Sequence, residues 1–208
     1  MIPRYRTIGE AWLNTCQSIM RSGRHYLIER GSYTGQHRAQ LDQLAFVITN
    51  PGERPLAIEW RGRPISDDAS IQRYFEDYVV SPPPYDGDNN EQYTYGERIA
   101  FQLEHIAKML HDTPFTNQAS ISVAQPSDIL LPDPPCLREL SWKWNGTGLQ
   151  LSSFWRSWDV FGALGMNLGG LQLLNEAVAE WAGLVPGAMV CYSDGAHIYE
   201  QSWRDAPG

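Results

Sequence analysis

In CLRELSWKWNGTGLQLSSFWRS, residues 136–157, apolar and polar residues alternate on both sides of Asn145-Gly146. Period-two alternation belongs to a strand with one buried face, and Asn-Gly is the dipeptide that most readily closes a tight hairpin. The stretch therefore predicts two antiparallel strands. Upstream, LPDPPC (131–136) brings the chain to Cys136 past three prolines, which fix the backbone path. Downstream, LGGLQLLNEAVAEWAGL (168–184) is the longest helical pattern, and GAMVCYSDGAHIYE (187–200) predicts a final strand and turn.

The same periodicities extend to the N-terminus. TIGEAWLNTCQSIMRSG (7–23) spaces Ile8, Trp12, Leu13, Ile19 and Met20 as a helix that Gly23 stops. LAFVIT (44–49) predicts a strand closed by an Asn-Pro-Gly turn. DDASIQRYFEDYVVSPPP (67–84) predicts a short helix ending at the prolines, and the polar YDGDNNEQYTYG (85–96) a loop. ERIAFQLEHIAKMLHDTP (97–114) predicts a helix ended by Pro114, and ASISVAQP (119–126) a strand. Strands and helices mix without a strict βαβ rhythm. The expectation is α+β: one domain over 1–208, with a mixed sheet.

With 208 residues, 42% of them hydrophobic, the chain can bury a full core. A net charge of −8 and a pI near 5.0 argue against nonspecific nucleic-acid binding. They leave room for a small anion held by a few arginines. No apolar run suits a membrane span, and the start MIPRYRTIGEAWLNTC lacks a secretory pattern, so a cytoplasmic protein is expected. Cys16, Cys136 and Cys191 cannot all pair together and show no metal-ligand spacing, so free thiols and no metal are expected.

Cys136 has two readings: a small packed hydrophobe, or a nucleophile held by the prolines. FWRSWDVFGALGMNL (154–168) gathers Arg156, Ser157, Asp159 and Asn167, and DGAHIYE (194–200) adds His197 and Tyr199. If the strand leading to Arg156 lies beside the one begun by Cys136, a guanidinium sits near the thiol. A nearby cation raises the thiolate fraction of a cysteine. Each of these residues also has a plain structural reading. Arg156 could pair with Asp159, Asn167 could cap a helix, His197 and Tyr199 could be core, and Glu76 could be a solvated helix position.

Taken in order, YTYGERI (93–99), TNQASI (116–121), DPPCLR (133–138), RSWDVFGALGMNLGGLQLL (156–174) and HIY (197–199) resemble the thymidylate synthase and pyrimidine-nucleotide hydroxymethylase family. The likeness is greatest to its short, archaeal-type branch. It is strong from Tyr93 to Trp203 and weaker before. It implies a large mixed β-sheet flanked by helices and a sheet-to-sheet homodimer. It also implies reductive methylation of dUMP to dTMP with 5,10-methylene-tetrahydrofolate or a methanopterin analogue. In that scheme Cys136 adds to C6 of the pyrimidine, Tyr95 handles a proton at C5, and Asp159 faces the pterin. Arg30, Arg156 and Ser157 bind phosphate, Asn167 reads the uracil edge, and His197 and Tyr199 bind the sugar hydroxyl. Glu76 stands in for a general base that has no clean match.

The sequence departs from the family in three places. PFTNQAS (114–120) replaces a pair of phosphate-binding arginines, which turns attention to Arg98 and Arg138; Leu137 replaces a histidine; and nine residues follow Tyr199. The last departure keeps a nucleotide 5-hydroxymethylase acting on dUMP, dCMP or CMP as an alternative. A non-catalytic nucleotide-binding homologue is the alternative from another class.

Overall fold

The computed structural model describes residues 2–81 and 93–208; the greater part of the loop expected at 85–96 lies outside the described residues. In chain order the elements are β1 (Arg4–Tyr5), α1 (Ile8–Ser22), β2 (Arg24–Leu27), β3 (His37–Leu41), β4 (Leu44–Ile48), β5 (Ile58–Trp60), β6 (Arg63–Ser66) and α2 (Asp68–Tyr74). Then come α3 (Gly96–Asp112), β7 (Ser120–Ser122), β8 (Leu137–Trp144), β9 (Leu149–Trp155), β10 (Trp158–Asp159), α4 (Leu164–Ala182), β11 (Pro186–Ser193) and β12 (Ala196–Tyr199).

Among the described residues, six strands form a mixed sheet in the order β1-β4-β11-β9-β8-β7. The 136–157 hairpin supplies its neighbours β8 and β9, as its alternation predicts. A four-stranded sheet, β10-β12-β3-β2, lies beyond, and β5 pairs with β6. The stretch 187–200 is thus two strands in two sheets rather than one strand and a turn. The chain turns at Ser193–Gly195 and passes from β11 to β12, carrying His197 and Tyr199 out of the large sheet. Strands β2 and β3 escape the sequence pattern because RHYL and HRAQL are mostly polar; β2 stays largely exposed, and of β3 only Ala39 is fully buried.

Helix α4 is the centre of the core, with buried residues all around its girth, and α1, α2 and α3 all contact it. One buried polar link ties it to the large sheet. Trp142 Nε1 donates to Asn175 Oδ1 at 3.1 Å, and Asn175 Nδ2 donates to the Leu149 carbonyl at 3.1 Å. The helix starts at Leu164, four residues before the pattern suggests. Asn167 therefore lies within its first turn rather than capping it, its N–H donating to the Ala163 carbonyl. Helix α2 continues into one turn of π-helix over Phe75–Val79. Gly96, the first residue of α3, packs so tightly there that an added Cβ would lie 2.1 Å from the Ser81 carbonyl oxygen. That close approach sets Tyr95 against Tyr78, their rings 4.8 Å apart and edge to face.

Candidate active site

The three-proline approach delivers Cys136 to the residue just before β8. Its carbonyl accepts the N–H of Arg156, the first residue past β9, at 2.9 Å. The expected adjacency of Cys136 and Arg156 is therefore a main-chain pairing between neighbouring strands. Cys136 is half-buried and lines a cleft of about 860 Å³. Tyr95, Asp159, Asn167, His197 and Tyr199 line the same cleft, coming from the start of α3, β10, α4 and β12. Cys16 and Cys191 are buried elsewhere in the core, and burial pushes both thiols up, Cys191 to about 12.

The remaining expected residues are placed differently. Arg156 turns its guanidinium onto the approach loop. Nε donates to the Pro135 carbonyl at 3.1 Å, and Nη2 to Asp133 Oδ1 at 3.0 Å and to the Pro134 carbonyl. Arg30 reaches the same loop, donating to the Leu131 carbonyl at 2.9 Å, while Ser32 bonds Asp133 Oδ2 at 2.8 Å. Both arginines thus stand at the rim, where Ser32 and Asp133 line the cleft. Ser157 is half-buried between β9 and β10 and does not line it.

Glu76 is not at the cleft. It is exposed and accepts from Gln72 Nε2 at 2.7 Å. On this helix and its π-turn, Arg73, Tyr74, Asp77 and Tyr78 face the cleft instead. Their i, i+4 spacing was the signal available in the sequence. Arg98 and Arg138 do not serve the cleft either. Both clamp the buried Asp128, at 2.7 and 2.9 Å, and Arg138 also donates to the Pro135 carbonyl at 3.2 Å. Burial would raise the Asp128 carboxyl, but the Gln125 amide, Arg98 and Arg138 together hold it below its ordinary range. The arginine after the cysteine thus braces the approach loop from behind.

The cleft's electrostatics follow from burial. His197 is 2% exposed and titrates at about 4, lowered by burial and by Arg38 and Arg156, which outweigh the Gly195 carbonyl. It is neutral at pH 7. Nδ1 lies 2.9 Å from that carbonyl and so carries the proton, leaving Nε2 an acceptor, buried and unpartnered among the described residues. Burial raises Tyr95 well above the usual phenol range, with Tyr74 and Cys136 adding to it. Tyr199 is raised by burial, Asp159 and Cys136. Both remain protonated donors. Asp159 is raised by burial despite the amides of Gly162 and Phe161. Asn167 is gripped on both sides, Oδ1 accepting from Trp158 Nε1 at 3.0 Å and Nδ2 donating to the Tyr74 hydroxyl at 2.8 Å.

A half-buried thiol, raised phenols, an orphan acceptor and an oriented amide share one cleft, the kinds of group that covalent work on a small polar ring uses. Residues 81–206 match the family model described as thymidylate synthase. The chain belongs to the thymidylate synthase family. A Methanopyrus kandleri protein named "Putative thymidylate synthase" is 30% identical to it, over 100% of this chain and 97% of its own. A Methanosarcina mazei protein of the same name is 30% identical, over 97% of this chain and 91% of its own. The contact of Trp158 and Tyr74 with Asn167 emerges only from the fold.

Proposed function

We propose that the protein transfers a one-carbon unit to C5 of a pyrimidine nucleotide, converting dUMP to dTMP through a covalent adduct on Cys136. The observation that carries this reading is the convergence of Cys136, Tyr95, Asp159, Asn167, His197 and Tyr199 on one cleft. The Cys136 thiolate adds to C6 of the ring, and the ring's π electrons move toward O4 to leave a nucleophilic carbon at C5. Loss of the C5 proton and expulsion of the thiolate later restore the double bond. Tyr95, whose hydroxyl lies 3.5 Å from the Leu137 N–H beside the nucleophile, is placed to handle that proton. His197 Nε2 accepts from the sugar hydroxyl, with Tyr199 beside it at 4.6 Å between rings. Arg30 and Arg156 at the rim, with Arg73 on the cleft wall, serve the phosphate.

The cleft also suits a planar pterin. Tyr74, Tyr78 and Tyr93 line it together with the Asp159 carboxyl, giving flat apolar surface and a hydrogen-bonding group. A methylene-tetrahydrofolate, or its methanopterin analogue, held there supplies the carbon unit and the hydride that reduces it. Asp159, whose carboxyl burial shifts upward, bonds the pterin ring.

The open face of the six-stranded sheet, with Phe154, Val190 and Tyr192, is the surface for a sheet-to-sheet homodimer. No helix among the described residues is long and apolar enough to cross a membrane, in keeping with a cytoplasmic enzyme.

Incubation with dUMP and methylene-tetrahydrofolate, followed by mass analysis, tests the reaction. A product heavier by one CH2 is expected. A gain of CH2O instead identifies a hydroxymethylase. With 5-fluoro-dUMP and the same cofactor, the wild type is expected to form a stable protein adduct. Cys136→Ser should bind the nucleotide within about threefold of wild type and form no adduct. Absence of the adduct in the wild type, with Cys136→Ser binding the nucleotide as well as wild type, would establish a protein that binds without turnover.

A further inference from the structure

An asparagine amide is ambiguous. Rotated by half a turn about its last bond, it exchanges its donor and acceptor ends. Uracil offers O4 as an acceptor and N3–H as a donor, whereas cytosine offers an amino donor and N3 as an acceptor. For a base seated in one pose, the two amide orientations suit the two bases. Selection between them therefore requires a group that forbids one orientation.

The indole of Trp158 is such a group. Its Nε1–H donates to Asn167 Oδ1 at 3.0 Å, and an indole nitrogen has no acceptor function. Flipping the amide would set its NH2 against the indole N–H, leaving both donors without an acceptor in a buried place. Trp158 cannot turn aside. It is 1% exposed and stacked on Trp155 with ring centroids 4.5 Å apart and planes 4° from parallel, with Phe46 stacked at 6.2 Å. Its backbone is pinned as well, its N–H donating to the Gly195 carbonyl at 3.0 Å. Tyr74 on the other side imposes no choice: its hydroxyl accepts from Nδ2, but a phenol can equally donate to an oxygen.

We infer that Trp158 is a specificity-determining positioning residue, fixing Asn167 through its indole N–H so that the cleft accepts a uracil edge and refuses a cytosine edge. The inference rests on the nucleotide reading above. The two gripping bonds leave Asn167 one Oδ1 lone pair and one Nδ2 proton for the base, in an order along the cleft that cannot reverse.

Calorimetric titration of the wild type, Trp158→Phe and Tyr74→Phe with dUMP and with dCMP tests it. The wild type should prefer dUMP by at least about tenfold, the worth of one mismatched hydrogen bond. Trp158→Phe should lose most of that preference, chiefly by gaining affinity for dCMP. Tyr74→Phe should weaken both and keep the ratio, an outcome that general loosening of the site would not give. A folded Trp158→Phe protein with the wild-type ratio overturns the inference. A wild type that binds both nucleotides equally overturns it too, while leaving the nucleotide reading intact. A wild type that binds neither removes both. If Trp158→Phe does not fold, the same titration is made on protein carrying benzothienylalanine at 158, which keeps the ring shape but lacks the N–H. Loss of the dUMP preference there supports the inference, and an unchanged ratio overturns it.

Discussion

His197 shows how far one residue's chemistry departs from its type. In an unfolded chain it would titrate near 6.5, but in the fold it titrates at about 4 because burial disfavours its charged form most. A depressed folded-state value means the stabilising contribution is fully present above the unfolded value and is lost as pH falls toward the folded one. Between pH 6.5 and 4 the unfolded chain takes up a proton that the native protein refuses. Stability should therefore drop by about 2 kcal/mol from this residue between pH 7 and pH 5. Urea unfolding of the wild type and His197→Asn at the two pH values isolates the effect, since other groups titrate in both. Equal pH dependence in the two proteins would show that the imidazole is not held neutral. The identity of this residue was legible in the sequence because a resemblance marks it. Its unpartnered Nε2 was not, since that depends on the turn at Gly195 occupying Nδ1.

At the scale of elements, sequence pattern finds what burial makes periodic and misses what close packing decides. The 136–157 hairpin and α1 were readable because alternate or every third and fourth side chains are buried. The π-turn over Phe75–Val79 was not; Asp77 lies at the cleft while its neighbour Glu76 faces water. The early start of α4 was hidden by its glycines, poor helix formers kept here for contact. A Cβ on Gly170 would meet the Tyr74 ring at 2.7 Å. Gly170→Ala should gain about 1 kcal/mol in helix propensity and lose about 1–3 kcal/mol in overpacking. The net is a loss of about 0–2 kcal/mol, and the displaced ring carries the hydroxyl that holds Asn167 Nδ2. We expect dUMP affinity to fall several-fold, beyond any fall in the urea midpoint that a loss of about 0–2 kcal/mol brings. An unchanged dissociation constant would mean that α2 and α4 tolerate the methyl without disturbing the amide.

For the molecule as a whole, the elements divide one labour: helices and the small sheet build the cleft, and the large sheet backs it with one face and leaves the other open. That open face is not uniformly polar. Phe154 and Tyr192 stack on it with centroids 5.5 Å apart, next to Val190, Ser141, Ser152 and Glu139. Strand alternation placed these side chains opposite the buried Leu140, Leu151, Met189 and Cys191, so their exposure follows from the pattern that made the core. An aromatic pair set among small polar groups fits the centre of an interface between two copies better than a face meant for water. Tyr192→Glu would bring a carboxylate beside Asp194, which the Tyr192 hydroxyl now bonds at 2.7 Å, and across from the same charges on a second copy. Light scattering should find the wild type a dimer and Tyr192→Glu a monomer, its far-ultraviolet circular dichroism unchanged because the residue lies outside the core. A Tyr192→Glu protein that remains dimeric would move the interface to another face, and a monomeric wild type would leave the stacked pair serving the sheet's own edge-to-edge order alone.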